Sequence, residues 1–138
     1  MSYIPFQHVC KKKAEEETRV ISIVRKDNEF GLPMGAYAFV ELFCDECDCR
    51  RVFLQVFQNE KIVALIAYGW GSLAFYRKEF KGFSESEIKE IKGPTLDPFQ
   101  CQSDISGGVF EMFNKVLFLD KAYLARIETH YNLFKKML

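Results

Sequence analysis

No stretch of this chain stays apolar for the roughly 18 residues that a membrane-crossing helix requires. Histidine is scarce: His8 and His130 are the only two among 138 residues, so a Ser-His-Asp arrangement has little to draw on. Neither charge sign prevails, with 19 basic and 19 acidic side chains. That balance removes the electrostatic footprint of a protein whose main task is to hold polyanions non-specifically. Two glycine-rich spots also fall short. In Gly69-Trp70-Gly71-Ser72 the nucleophile-elbow glycines are missing, since Trp70 and Ala74 stand in their places, and Ser72 reads more simply as a helix cap. Gly107-Gly108 lacks the lysine and the serine or threonine that a phosphate loop needs after it. At the start, the basic residues Lys11 to Lys13 follow the short apolar stretch instead of preceding it, which is not signal-peptide order. The expectation is a cytoplasmic protein with no membrane partner.

What is present belongs to a globular domain: 49% hydrophobic and 28% charged residues. A chain of this length buries roughly two-thirds of its unfolded surface, so a core without disulfides is within reach. One domain over residues 1–138 is expected, with a sheet in 1–68 and a helical part in 69–138 that packs on it. Fourteen phenylalanines predict an interior, or a surface, rich in rings.

Four strand patterns come first: Thr18 to Val24, Tyr37 to Phe43, Arg51 to Phe57 and Lys61 to Tyr68. Their connections are short, and short connections favour antiparallel neighbours, so a four-stranded antiparallel β-meander is expected. The period then lengthens. Leu73, Tyr76 and Phe80 recur at helical spacing, and Gly82 stops that pattern. Ser84 and Glu87 stand at capping-box spacing before a second helix that Gly93-Pro94 ends. Ile105, Val109, Met112, Phe113 and Val116 form one stripe of a third. The last and clearest opens at Asp120 and carries Tyr123, Leu124, Ile127, Tyr131 and Phe134. Strands first and three to four C-terminal helices after define an α+β class. Lys11 to Glu17 pairs opposite charges at helical spacing and reads as a solvated helical turn or linker.

The chemistry concentrates in Cys44-Asp45-Glu46-Cys47-Asp48-Cys49-Arg50-Arg51, at the tip of the hairpin between the second and third strands. Cys44 and Cys47 have the Cys-x-x-Cys spacing that presents two sulfurs to one tetrahedral ion, and Cys49 sits where the returning strand aims a third. Clustered thiolates in a reducing compartment point to zinc, in a structural role. A closed site needs a fourth ligand. Cys10 is the first choice, with His8, Cys101 and His130 as alternatives. Three ordinary turn cysteines, or a redox pair of Cys44 and Cys47, are the competing readings.

A second feature is an asymmetry of the two central strands. With Phe43 opposite Arg51, one face is aliphatic (Ala38, Val40, Leu42, Val52, Leu54, Val56) and the other carries Tyr37, Phe39, Glu41, Phe43, Phe53, Gln55 and Phe57. Together with Arg50 and Arg51, the aromatics Tyr37, Phe39, Phe43, Phe53 and Phe57 form a candidate binding surface, unless helices cover it. The functional expectation is a zinc-stabilised binding or adaptor module for a protein or peptide partner. Two alternatives stand beside it: a metal-dependent enzyme with an open zinc position near the aromatic face, and a nucleic-acid-binding module using Arg50, Arg51 and the sheet aromatics.

Overall fold

A computed structural model describes residues 2–97 and 102–138. The chain runs β1 (Tyr3–Pro5), α1 (Phe6–Val9), α2 (Lys11–Glu17), β2 (Arg19–Ile23), β3 (Gly35–Cys44), β4 (Arg51–Gln58), β5 (Lys61–Gly69), α3 (Leu73–Glu79), α4 (Glu85–Lys92), β6 (Thr95–Leu96), α5 (Ser106–Met112) and α6 (Lys121–Met137). A π turn over Phe113–Leu117 follows α5 directly. The class is α+β. β2, β3, β4 and β5 pair in sequence order, every pair antiparallel, as the expected meander requires.

Two short strands and the helix α1 were not expected, and α2 realises the helical turn over Lys11 to Glu17. β6 extends the sheet beyond β5. β1 shares an edge of β3 with β2: Tyr3 pairs with Cys44 at one end, and Arg19 pairs with Phe39 further along. α1 and α2 bridge the gap between these two strands. The Lys11 to Glu17 segment is therefore more than a solvated linker, because Ala14 on its inner side is buried.

The predicted helix starts are realised by their side chains. Ser72 accepts from the Phe75 amide, and Asp120 from the Tyr123 amide. Ser84 and Glu87 form a reciprocal capping box at α4, each satisfying the other's backbone N–H.

The pairing of β3 with β4 differs from the expected one by a single residue. Leu42 lies opposite Phe53 and Glu41 opposite Leu54, so β4 is displaced by one position relative to a Phe43–Arg51 pairing. A one-residue shift turns every side chain of the strand to the other face. The core face therefore combines Tyr37, Phe39, Glu41 and Phe43 of β3 with Val52, Leu54 and Val56 of β4, all fully or nearly fully buried. α1, α5, the π turn and α6 supply the other side of this core through Phe6, Val109, Met112, Phe113, Leu117, Ile127 and Phe134. Phe43 is its centre, in ring contact with Phe6, Trp70, Tyr131 and Phe134. On the opposite face lie Val40, Phe53, Gln55 and Phe57, all half-buried. The expected aromatic surface is thus divided: Tyr37, Phe39 and Phe43 are core, while Phe53 and Phe57 remain on the open face.

The third helical stripe is also corrected at its end. Its ladder widens to an i→i+5 bond, Phe118 N–H to Phe113 carbonyl at 2.9 Å. The extra residue rotates the stripe, so Leu117 is fully buried and Val116 is 38% exposed. Leu117→Ala should accordingly cost about 2–5 kcal/mol in urea denaturation, whereas Val116→Ala should stay within about 0.5 kcal/mol. Equal costs would refute the π turn.

Candidate metal centre

β3 ends at Cys44 and β4 begins at Arg51, so residues 45–50 make the tip between them. The Sγ atoms of Cys44, Cys47 and Cys49 lie within 4.8 Å of one another. Cys44 is fully buried and Cys49 nearly so, while Cys47 is half-buried. The Cys47 amide donates to Cys44 Sγ at 3.4 Å. Such an amide bond stabilises a thiolate and orients it, as outer-shell donors do at thiolate metal sites.

The tip is held from three directions. From α6, Lys135 Nζ donates to the Cys47 carbonyl at 2.8 Å, and the Tyr131 hydroxyl reaches the same carbonyl and Asp48 Oδ1, the latter at 2.9 Å. From the N-terminal side, the Ser2 amide donates to Asp45 Oδ1 while the Asp45 amide donates to the Ser2 carbonyl. From α3, the Tyr76 hydroxyl donates to the Arg50 carbonyl at 2.7 Å, and the Trp70 amide donates there too. Arg50 itself takes a left-handed backbone (φ 51°) and lays its guanidinium over Phe75 at 4.1 Å. These contacts fix the loop before any ion arrives.

Burial pushes the Cys47 thiol up to about 12, with hydrogen bonds to Cys44 and Cys49 adding to it. A thiol so raised is a poor nucleophile, which weakens the redox reading. A dication at this cluster would supply the compensating charge that three crowded sulfurs lack, since metal binding deprotonates thiol ligands. The Cys47 and Cys44 sulfurs are 2.6 Å apart. Two sulfurs bonded to one tetrahedral zinc stand about 3.7 Å apart, as follows from ~2.3 Å Zn–S bonds.

The proposed fourth ligands separate from this cluster. Cys10 lies at the α1–α2 junction, buried in the core, and is not among the mutually close sulfurs. β1 does run beside the tip, as an N-terminal segment was expected to, but α1 then carries the chain away before Cys10 is reached. His8 is exposed and lines a separate cleft of about 410 Å³ with Gln7, Lys11 and Val20. Cys101 lies outside the described residues. His130 has both ring nitrogens occupied: Nδ1 lies 2.7 Å from Glu41 Oε1 and Nε2 2.7 Å from Glu17 Oε1.

Sequence reasoning did not single out Tyr3. It pairs with Cys44, its ring meets Phe53 edge-on at 4.4 Å, and its hydroxyl lies 3.8 Å from Cys49 Sγ. Beside it a cavity of about 270 Å³ is lined by Tyr3, Cys47, Asp48, Cys49, Arg51, Glu79 and Phe80. Further along the open sheet face a depression of about 320 Å³ involves Tyr3, Leu42, Phe53, Gln55, Leu65 and Asp97.

Arg50 and Arg51 do not join the sheet aromatics into one platform. Arg50 pairs with Asp48 at 3.5 Å, Arg51 sits 5.2 Å over Phe53, and Tyr37, Phe39 and Phe43 are closed off beneath the helices.

Fold and cluster together define an α+β domain with a three-cysteine group, placed to bind a metal ion, at the tip of a β-hairpin. Comparison of the chain with protein-family models, with curated proteins and with solved structures finds no match.

The His130 network is the molecule's other concentration of charge. The ring is 1% exposed and stacks on Phe6 at 4.4 Å. Burial pulls its pKa down, but the bonds and charges of Glu41 and Glu17 outweigh that and hold it above the ordinary value. Burial lifts Glu41 as well, against the opposing pull of His130 and Arg126. Glu17 is held low by His130 and Lys13. A raised folded pKa means the fold binds that proton more tightly than the unfolded chain does, so stability is full below the unfolded value and falls as pH rises. For His130 the loss begins above about pH 6.5, with a slope of at most about 1.4 kcal/mol per pH unit. Thermal melts from pH 6 upward should show the decline in the wild type and a flatter profile in His130→Gln. Parallel profiles would mean that His130 carries no extra proton in the fold.

Proposed function

We propose that the protein is a zinc-stabilised binding module, in which one ion ties Cys44, Cys47 and Cys49 into the junction of β1, the hairpin tip and α6. The observation that carries this reading is a cluster of three sulfurs on a loop whose backbone is already fixed by Ser2, Tyr76, Tyr131 and Lys135. Ligands held in place before binding lose little entropy when the ion arrives. Zinc suits a thiolate set in a tetrahedral site and needs no redox partner. The binding role rests on the open sheet face, where Leu42, Phe53, Gln55 and Leu65 border a shallow depression suited to an extended peptide.

A second reading is favoured by one specific observation. The cavity of about 270 Å³ touches both Cys47 and Cys49 and contains Arg51 and Glu79. A zinc with three protein ligands and one exchangeable position facing such a cavity has the layout of a catalytic centre. A nucleic-acid role has less support, because three of its five proposed aromatics are core residues.

The test is metal content per chain, with free thiols counted before and after chelation. About one zinc per chain is expected, with three thiols of the cluster appearing only on chelation. Cys47→Ser should lose the metal and several kcal/mol of stability, as structural zinc sites contribute folding energy directly. The reading fails if Cys47→Ser melts with the wild type and keeps its metal, or if the wild type binds none.

A further inference from the structure

Three thiolates leave a tetrahedral ion one position short, and the hydroxyl of Tyr3 lies beside the cluster, 3.8 Å from Cys49 Sγ. Because Tyr3 pairs with Cys44 on neighbouring antiparallel strands, the two side chains leave the sheet on the same face, a few ångströms apart. The Tyr3 hydroxyl then stands 3.8 Å from Cys49 Sγ. That is long for an O–H···S hydrogen bond. It matches the spacing of two ligands on one zinc: ~2.3 Å to sulfur and ~2.0 Å to oxygen at the tetrahedral angle place them about 3.5 Å apart. The ring has little freedom to leave, since Phe53 abuts it and the reciprocal Ser2–Asp45 amide bonds pin the preceding residue to the tip. Tyr3 also forms part of the wall of the cavity that Cys47 and Cys49 line.

We infer that Tyr3 supplies the fourth ligand, as a phenolate, closing a Cys44–Cys47–Cys49–Tyr3 zinc centre. The inference rests on the metal-centre reading and deepens it. Binding breaks three S–H bonds and one O–H bond, releases those protons to solvent and forms three Zn–S bonds and one Zn–O bond, with no change of oxidation state. Arg51, whose guanidinium lies over the neighbouring Phe53 ring, favours the added anion, while burial and the Cys49 sulfur oppose it until the dication supplies the compensating charge. A site closed in this way keeps zinc out of the cavity and settles the choice between the two readings above in favour of the structural one.

The experiment titrates zinc alone into reduced, metal-free wild type and Tyr3→Phe, following the ultraviolet difference band of ionised tyrosine. The expected result is one tyrosinate formed per zinc bound in the wild type and none in Tyr3→Phe. Affinity in the variant should fall more than ~100-fold, beyond the ~10–100-fold that loss of an outer-shell partner costs. The metal-free forms should melt together, which separates a ligand from a packing residue. Zinc binding without a tyrosinate band, or undiminished affinity in Tyr3→Phe, overturns Tyr3 as ligand and leaves the three-cysteine centre standing. A wild type that binds no zinc overturns both. Should Tyr3→Phe fold poorly, the wild-type band still decides the matter.

Discussion

A carboxylate buried in the middle of a sheet has to be answered, and the answer organises this molecule. Glu41 is 5% exposed on the core face of β3. Left unpaired, an ionised group there costs several kcal/mol. His130 of α6 meets it at 2.7 Å, and Glu17 at the end of α2 occupies the other ring nitrogen. One imidazole thereby fixes three elements relative to one another. α6 is set in angle and in position along its axis, and the excursion from β1 through α1 and α2 is drawn over the same core. Phe6 completes the arrangement by stacking on the ring.

The placement of the three-cysteine cluster follows from that docking. Tyr131 is the neighbour of His130 on α6, and Lys135 lies just over one helical turn beyond. With His130 anchored on Glu41, these two side chains arrive at the hairpin tip and bond the Cys47 carbonyl and Asp48. Without them, the tip would lose the hold of α6 on Cys47 and Asp48 and keep only those of Ser2, Trp70 and Tyr76. Buried polar networks of this kind fix one packing out of several that apolar contacts alone would tolerate. Fourteen phenylalanines pack in many ways; a histidine held between two carboxylates packs in one.

The strands β2 to β5, the α+β class, the caps of α3, α4 and α6, and the grouping of Cys44, Cys47 and Cys49 were legible because each depends on local spacing or a single capping residue. The register of β3 against β4 was not. Both strands are apolar on both faces, so alternation alone permits either phase. The observed phase pairs Leu42 with Phe53, after a turn that ends with Arg50 in a left-handed conformation. Glu41 argued for an outward face when taken alone, since its partner lies 89 residues away and nothing local announces it. β1 was missed because three residues carry no period, and its register with Cys44 is a long-range fact. That one omission also left unread the pairing that places Tyr3 beside Cys44. The π turn escaped for a related reason: a 3.6-residue stripe projects Val116 inward, and only an added residue in the ladder turns Leu117 there instead.

The acidic residues between the cysteines look hostile to a thiolate centre, because anions near thiols oppose their ionisation. The fold disposes of two of them. Asp45 turns to the Ser2 amide, where it accepts a backbone hydrogen bond and holds β1 against the tip. Asp48 accepts from Tyr131 and faces Arg50 at 3.5 Å, so its charge is shared with a guanidinium and an O–H dipole. Lys135, Arg50 and Arg51 then leave the immediate surroundings of the sulfurs richer in cations than the sequence order implies. The carboxylates that seemed to weaken the centre are instead part of what positions it. Their bonds run outward to neighbouring elements, and the sulfurs are left to face one another.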